Sequence, residues 1–475
     1  MTSMVVLKHG KNNAITVYCP KETILKEMAA KIENVTMSSR EISLSGSSLP
    51  GLWRSPTYRK DNIRTTHLWL KGKKIDDNTN GLWRVHDGLY DFSTFIDKHP
   101  GGSDWLNYTK GTDITEAFES HHVKSSVRSY LKQYYVQPAT GARFSPYTFH
   151  EDGFYRTLMR RAEPIIATIH TGPTLRSKIW IDILMVTTMA TAILATATSS
   201  YALGFLAGFL MNLTVVGAHN FLHLRDNMRM YYFDFSFMSC KDWRVSHALS
   251  HHMYPNTLLD IELCFNEQIF QWLPLKDKPW GLRYGSWFYS PIIYALLFFL
   301  SFLQRVASIL CGNRKALRLD ITIPFIPLLL MYALSGKTFW DAFCMWIWIV
   351  GVNSFIFGFL GFNGAHHHPD IFHDGDAPRA DRDFGLGQID AVRDHVEFAH
   401  NLFIVLVTFG EHSLHHLFPT VDHTNLHHLY PVFQETCKEF EVKYKPLRLS
   451  QLFKGQYQRL AKNEPNLIPP EKIIN

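Results

Sequence analysis

The chain of 475 residues has few cysteines, no recognisable leader and no concentrated basic region. Its six cysteines are scattered without paired or C-x-x-C spacing, which argues against a disulfide scaffold or a structural zinc site and for a reducing compartment. The net charge of +6 is spread along the chain, so nucleic acid is a poor candidate partner. The opening MTSMVVLKHGKNN lacks a hydrophobic core segment, so we expect the N-terminus to remain cytosolic.

Composition divides the chain into a polar first part, an apolar middle and a polar end. We expect a flexible segment over 1–50 with a short helix near 22–34, a compact domain over 51–140, a polar connector over 141–175, a membrane domain over 176–450 and a tail over 451–475. Within the compact domain, Asp87-Gly88 predicts a hairpin turn.

The membrane domain contains five apolar stretches, at 179–199, 201–218, 289–304, 320–335 and 339–362. If all five crossed the bilayer, the later histidine clusters would lie on the opposite side from the earlier ones. Basic loops tend to stay cytosolic, and 289–304 is followed by Arg305, Arg314, Lys315 and Arg318. We therefore predict four spans, with 289–304 interfacial or re-entrant and with 363–475 on the cytosolic face. Gly204 and Gly208 are spaced for close contact between helices.

Eleven histidines form four tight clusters, and apolar stretches run up to the first, the third and the fourth. They read GAHNFLH (His219, His223), HALSHHMYPN (His247, His251, His252), NGAHHHPD (His366, His367, His368) and HSLHHLFP (His412, His415, His416). Residues three or four apart share one face of a helix, so His219 and His223 can converge on one ion. An adjacent histidine such as His252 points about 100° away and suits a second ion. One zinc ion takes four ligands, so this number of histidines predicts two metal ions, whose identity imidazole alone leaves open.

A different pattern lies in VHDGLYDFSTFIDKHPGGSDWLNYTKGTDITEAFESHH, which resembles the cytochrome b5 haem domain. The resemblance implies that haem b is bound, with His99 of the HPGG motif as the first axial ligand. It implies that His122 is the second axial ligand, with His121 as the near alternative. Two axial histidines leave no open position on the iron, so such a haem carries electrons and does not activate oxygen.

The four clusters resemble the histidine boxes of membrane fatty acid desaturases and hydroxylases. HHMYPN and HHLFPTVDHTNL are similar to front-end desaturases, although His412 stands where those enzymes usually have Gln, and the second box has three intervening residues where many have two. The resemblance implies two non-haem iron ions. The iron ligands that it implies are His219, His223, His247, His251, His252, His367, His412, His415 and His416. His366 or His368 is the alternative to His367, and Asn363 is a possible water-mediated ligand.

The remaining polar residues near the boxes carry weaker expectations. We expect ordinary surface or outer positions for His373, His395, His400, His423, His427 and His428. Acidic side chains can orient ligands through the imidazole N–H, and the candidates are Asp374, Asp376, Asp390, Asp394 and Glu411.

Together the resemblances imply an α+β haem domain followed by an all-α integral membrane desaturase domain with a cytosolic histidine-rich cap. The whole chain is similar to the insect cytochrome b5-related proteins, which share the segment PGLWRSPTYRKDNIR. The implied function is O2-dependent desaturation of a long fatty acyl chain in the endoplasmic reticulum membrane, with the haem domain and active site facing the cytosol. NADH-cytochrome b5 reductase is the implied electron source. The alternatives are an acyl or sphingolipid hydroxylase, a membrane-anchored electron carrier and, more distantly, a zinc hydrolase.

Overall fold

The structure is a computed structural model that describes residues 46–61, 64–310, 313, 316–362, 365–398 and 401–472. The helix expected near 22–34 lies outside the described residues. So do Arg314, Lys315, Asn363 and His400.

The domain that resembles cytochrome b5, called the haem domain below, has a small antiparallel sheet and short helices. Its elements are α1 Thr66–Asp77, β1 Trp83–Val85, β2 Gly88–Tyr90, α2 Ser103–Thr109, α3 Thr115–His121, α4 Val127–Leu131 and β3 Tyr135–Pro138, with the strands in the order β1-β2-β3. The hairpin expected at Asp87-Gly88 is present, but its turn lies one residue earlier. Val85 pairs with Gly88, so His86 and Asp87 form the turn, and His86 has a φ of 52°.

The segment that leads into the haem domain is packed against the rest of the chain. The Ser47 hydroxyl donates to Asp374 at 2.8 Å, and the Tyr58 hydroxyl donates to the carbonyl of Leu258 at 2.7 Å. Residues 46–50 therefore differ from the flexible segment expected over 1–50. The expected polar connector also contains a helix, Phe154–Thr168, whose apolar face buries Phe154 and Leu158.

The rest of the chain is helical. The helices are α5 Phe154–Thr168, α6 Leu175–Ala197, α7 Tyr201–Leu222, α8 Cys240–Trp243, α9 Ile261–Phe265, α10 Ser286–Leu310, α11 Ile326–Ser335, α12 Phe339–Ile356, α13 Phe384–Ala391, α14 Leu402–Val407, α15 His412–Leu417, α16 Tyr430–Glu439 and α17 Leu449–Ala461. Short 3-10 helices are Thr57–Lys60, Ile96–Lys98, Lys132–Tyr134, Met228–Ser236, Leu319–Phe325, His423–Leu429 and Pro470–Lys472. Three π-helices are assigned within the described residues, at Arg244–His251, Gly281–Gly285 and Phe357–Phe362.

Helix α7 packs closely on α12 because two glycines leave room for it. A Cβ atom added at Gly204 would lie 2.6 Å from the Met345 sulfur, and one at Gly208 would lie 2.7 Å from the Val352 Cβ. The two glycines therefore make the close helix contact that their spacing predicts, and the partner is α12.

Among the described residues, four helices are long and apolar enough to cross a membrane: Leu175–Ala197, Tyr201–Leu222, Gly281–Leu310 and Phe339–Leu360. By this measure the third span is Gly281–Leu310, and the apolar segment Leu319–Ser335 is shorter. That choice differs from the sequence prediction, which makes 320–335 a span and 289–304 interfacial.

Both ends of α10 nevertheless contact polar parts of the chain. Near its beginning, the Ser290 hydroxyl lies 3.2 Å from that of Tyr457 in α17. Near its end, the Gln304 amide donates to the carbonyl of Arg64, just before the haem domain, at 3.0 Å. These contacts are separated by roughly 21 Å of helix. The interfacial position of 289–304 stays a prediction, and these contacts favour it.

Candidate metal centre and haem site

The first histidine pair lies at the end of α7. His219 is in its last turn and His223 is the C-terminal cap, so the two side chains share one face of the helix. Their side chains are almost completely buried, and their Nε2 atoms are 2.8 Å apart. The apolar helix therefore delivers two imidazoles to one buried point.

The second cluster lies on a π-helix, Arg244–His251. The N–H of His252 donates to the carbonyl of His247 at 2.8 Å, which is a bond between residues five apart. Because the turn is wide, the His247 ring faces both of its neighbours, with centroids 5.3 Å from His251 and 4.5 Å from His252. The His247 ring also stacks on Trp243 at 4.3 Å.

The fourth cluster, His412, His415 and His416, forms the short helix α15. It begins after Glu411, which has a left-handed φ of 54° and turns the chain into the centre. His415 Nε2 lies 3.3 Å from His219 Nε2, whereas the ring of His416 stacks on that of His252 at 4.1 Å. Helix α15 therefore reaches both of the earlier clusters.

In the triplet His366-His367-His368, the side chain of His366 lies next to the other histidine clusters and that of His367 does not. His366 Nε2 lies 3.1 Å from His251 Nε2 and 2.7 Å from His412 Nε2. The His367 ring instead stacks on Trp272 at 3.7 Å, and its Nδ1 lies 2.9 Å from His373 Nε2. His368 is beside Asp370 at 3.5 Å. Neighbouring side chains diverge here because the segment is a turn, so the structure places His366, one of the expected alternatives, next to the other clusters and places His367 apart from them. Which of them binds iron stays a prediction.

The structure gathers nine buried imidazoles into two adjoining groups. In one group, each ring offers one nitrogen, and these nitrogens all lie within 4.8 Å of one another; its members are His219, His223, His247, His252 and His415. The other group has His251, His366 and His416 within the same distance, and His412 joins it through His366. Eight of the nine histidines predicted from the boxes are brought together, and His366 takes the place of His367.

Outer partners fix the direction of several rings. The Nδ1–H of His251 donates to Asp260 at 2.8 Å, that of His416 donates to the side-chain oxygen of Gln388 at 2.9 Å, and that of His366 donates to the carbonyl of Ala391 at 3.2 Å. With the proton held on Nδ1, the Nε2 lone pair of each ring points inward.

The environment keeps most of these imidazoles in the neutral form that binds metals. Burial, and then the neighbouring histidines, hold the pKa of His252 and of His412 well below its usual value. Burial lowers the pKa of His251 as well, but the nearby Asp260 carboxylate raises it by more. The pKa of His251 therefore lies above its usual value.

The donor set fits two transition-metal ions. His416 Nε2 is buried and has no hydrogen-bond partner in the part of the chain that the structure describes, although its Nδ1 is satisfied. Buried polar atoms are normally paired, so a lone pair held in this way is suited to a ligand. Neutral imidazole is a common ligand for Zn, Cu, Fe and Ni.

The haem domain presents a second histidine pair. The rings of His99 and His122 have centroids 6.1 Å apart and lie at 77° to each other. Each Nδ1–H donates to a backbone carbonyl, that of Gly102 at 3.0 Å for His99 and that of Phe118 at 2.9 Å for His122. Both Nε2 atoms are thereby left for an axial position on one haem iron. His121, the alternative ligand, packs against Trp105 with centroids 5.5 Å apart.

Comparison with known proteins finds a family match for each of the two domains. The family described as "Fatty acid desaturase" matches residues 196–448, and the "Cytochrome b5-like Heme/Steroid binding domain" matches residues 70–138. A "Cytochrome b5-related protein" of Drosophila melanogaster is 41% identical, over 86% of this chain and 95% of the relative.

The chain belongs to the fatty acid desaturase family. It is an oxidoreductase in which a cytochrome b5-like haem domain is fused to the desaturase domain. The "Probable Delta(5) fatty acid desaturase C" of Dictyostelium discoideum is 25% identical, over 81% of this chain and 92% of that protein. "Cytochrome b5 type B" of Mus musculus is 33% identical, over 21% of this chain and 63% of that protein. No solved structure matches the chain.

Sequence reasoning missed two acidic residues beside the candidate ligands of this desaturase. Asp260 and Glu262 contact His251 and His247, at 2.8 and 3.1 Å. His423, for which a surface or outer position is expected, has its Nε2 3.0 Å from His415 Nδ1. The expected orienting acids make other contacts: Asp374 accepts from Ser47, Asp376 pairs with Arg459, Asp390 pairs with Arg379 and Asp394 accepts from Ser413. The sequence signal that could have identified the two acids is the segment Asp260-Ile261-Glu262, which begins eight residues after His252.

A cavity opens beside the second histidine group. Its polar side carries His251, His366 and His412, and its apolar side carries Trp243, Leu263, Phe357 and Phe409. The candidate ligands therefore border a small cavity that has one apolar side.

Proposed function

We propose that this desaturase-family enzyme introduces a double bond into a long fatty acyl chain, with O2 as the oxidant and two iron ions as the metal centre. The observation that carries the proposal is the pair of buried imidazole groups beside an apolar cavity. Two groups supply enough ligands for two ions, whereas one tetrahedral zinc ion would use four.

The proposed iron ligands follow the two groups. One ion would be held by His219, His223, His252 and His415, and the other by His251, His366, His412 and His416, with His247 between them. When bound, the two irons would supply an O2-derived oxidant able to take hydrogen from an unactivated methylene. The overall reaction consumes one O2, two electrons and two protons, and it converts CH2–CH2 into CH=CH with release of two water molecules.

The residues of the chain would position and shield this reaction. Asp260, Gln388 and the Ala391 carbonyl hold their imidazoles by Nδ1, so that the metal sees a fixed set of Nε2 atoms. Trp243, Phe357 and Phe409 line the cavity and would exclude water from the reacting methylenes.

The fused haem domain would be the electron donor. His99 and His122 would occupy both axial positions of haem b, so the haem would exchange electrons without binding O2. Fusion keeps the donor at a high effective concentration next to its acceptor. NADH-cytochrome b5 reductase is the proposed source of these electrons.

We further propose four membrane crossings in the endoplasmic reticulum, at α6, α7, Leu319–Ser335 and Phe339–Leu360. Helix α10 would lie along the cytosolic surface, because its two ends contact Tyr457 and Arg64 of the polar parts. This arrangement keeps every histidine cluster and the haem domain on the cytosolic side.

Mass spectrometry of total lipids from yeast expressing the wild type beside His415→Ala tests the function. Acyl chains lighter by two hydrogens, absent in the variant, are expected, and double-bond mapping then gives the regiochemistry. Chains heavier by one oxygen would instead identify a hydroxylase. No new lipid from protein shown to hold haem and iron would contradict desaturation in that host and favour the electron carrier.

A paired experiment tests whether the two sites are separate. His415→Ala should abolish turnover while the haem absorbance spectrum survives. His99→Ala should remove that spectrum and leave the iron content largely intact. Loss of haem and iron together in both variants would contradict the two-site proposal.

A further inference from the structure

The haem domain is held against the histidine centre by a buried arginine. The side chain of Arg244 is fully buried, its guanidinium lies 5.0 Å from the centre of the Trp105 ring, and it pairs with Asp104 at 3.2 Å. Lys241 pairs with the same aspartate. Helix α2 of the haem domain is therefore fixed to the start of the second histidine box.

The same arginine also holds the first histidine box. It donates to the carbonyl of Leu222 at 2.8 Å and to that of Leu224 at 2.9 Å, the residues on either side of His223. Hydrogen bonds from a charged donor are among the stronger ones in proteins. Arg244 thus fixes His223 relative to Trp105.

Helix α3 makes a second contact between the two domains. The Ser120 hydroxyl lies 3.6 Å from the sulfur of Met253, the residue after His252. Next to Ser120, the His121 ring packs on Trp105, and its Nδ1–H donates to the carbonyl of Ala117 at 2.8 Å. His121 Nε2 is buried and has no hydrogen-bond partner among the described residues.

His121 is joined to both sites by a chain of contacts. It precedes His122, the proposed haem ligand, in the chain, and its ring packs on Trp105. Trp105 contacts the Arg244 guanidinium, which bonds the carbonyls on either side of His223.

We propose that the His121 imidazole is the bridge through which electrons pass from the haem to the metal centre. The inference rests on the proposed function, because it requires haem at His99 and His122 and iron at the histidine groups. Each transfer moves one electron, oxidising the haem iron and reducing one iron of the metal centre. Two transfers serve each turnover, and a nicotinamide-dependent reductase restores the haem after each.

Stopped-flow measurement of haem reoxidation in the full-length, haem- and iron-loaded protein tests the bridge. The haem is reduced with NADH and cytochrome b5 reductase and then mixed with O2 and lipid substrate. His121→Leu should slow reoxidation several-fold, whereas His121→Phe, which keeps a ring in place, should restore most of the rate. His67→Leu is the matched control, because His67 is an exposed histidine of the same domain.

The bridge also makes predictions for static measurements. His121→Leu should keep the haem spectrum, the haem reduction potential and the iron content of the wild type. A wild-type reoxidation rate in His121→Leu would overturn the bridge, as would loss of its haem spectrum, which would make His121 a ligand. A wild type whose haem is not reoxidised at all would instead contradict the proposed function.

Docking itself can be measured without haem turnover. Cysteines placed together by Ser120→Cys and Met253→Cys should form an intramolecular disulfide under mild oxidation, as judged by mass spectrometry of proteolytic peptides. Each single substitution is the control. Absence of the cross-link in folded protein would overturn the docked arrangement on which the bridge depends.

Discussion

His251 and His252 follow one another in the chain, yet they face different groups of imidazoles. His251 Nε2 lies 3.1 Å from that of His366, and His252 Nε2 lies 3.1 Å from that of His247. The same division separates His415 from His416. Two short helices therefore each supply ligands to both proposed ions.

This division predicts that single substitutions remove one ion at a time. His252→Ala should lose close to half of the bound iron and all turnover, because the remaining group keeps its own ligands. Iron content measured by mass spectrometry on purified protein, with haem absorbance as the internal reference, checks this. Iron content unchanged in the variant would exclude His252 as a ligand.

The histidine triplet offers a matched pair of variants. His366→Ala should abolish turnover, because its Nε2 lies among those of His251 and His412. His367→Ala should keep the iron content of the wild type, because its ring stacks on Trp272 outside the two groups. Activity and iron content of the two proteins, expressed side by side, decide the assignment. Loss of iron in His367→Ala and not in His366→Ala would instead support His367 as the ligand, which is what the family resemblance implies.

Asp260→Asn should weaken metal binding without unfolding the second box. One carboxylate oxygen accepts the Nδ1–H of His251 at 2.8 Å, and the other caps α9 through Glu262 N at 2.9 Å. Asparagine keeps the capping oxygen and loses the partner of His251, which typically costs about 10–100-fold in metal affinity or activity. Asp374→Asn is the control, because that buried carboxylate bonds Ser47 and no ligand. Equal losses in both variants would point to general destabilisation.

The contact between α7 and α12 predicts opposite effects for two glycines. A Cβ atom at Gly208 would lie 2.7 Å from Val352, so Gly208→Ala should cost about 1–3 kcal/mol through overpacking. Gly351 on α12 has nothing within 4 Å of such an atom, so Gly351→Ala should be neutral or stabilising by about 0.5–1 kcal/mol. Thermal unfolding in detergent compares them, and similar melting temperatures would contradict the close packing.

His395 gives the protein a pH-dependent stability. Burial lowers the pKa of its imidazole to about 4, below the value of an unfolded histidine. The unfolded chain then binds the proton first, so stability is full above about pH 6.5 and falls as the pH drops towards 4, by up to about 3 kcal/mol. His395→Gln should reduce the fall in melting temperature over this range, although other buried histidines with lowered pKa values contribute as well. A variant as acid-sensitive as the wild type would exclude His395 as the cause.

Local spacing predicted most of the metal centre, and tertiary turns account for what it missed. His219 and His223 share a helical face, so three- and four-residue spacing brings them together as expected. His366 lies in a turn, where no helical period applies, so the expected offset points to His367, whose ring stacks on Trp272. Asp260 and Gln388 lie in other segments, 9 and 28 residues from the histidines that they contact.

In the fold, composition and motifs predict the two domains and the contact made by Gly204 and Gly208. They do not predict that residues 46–50 are packed against the rest of the chain. Small polar residues such as Ser47 and Ser48 are typical of flexible segments. Both donate hydrogen bonds to Asp374, which is more than 320 residues away in the sequence. The helix Phe154–Thr168 was hidden by its charged residues, although its apolar face is buried against the core.

The π-helix Arg244–His251 bears on how the second box acquired its length. A wide turn absorbs one additional residue while the flanking backbone keeps its course. The three intervening residues of this box are therefore accommodated in the wide turn, and its imidazoles still converge.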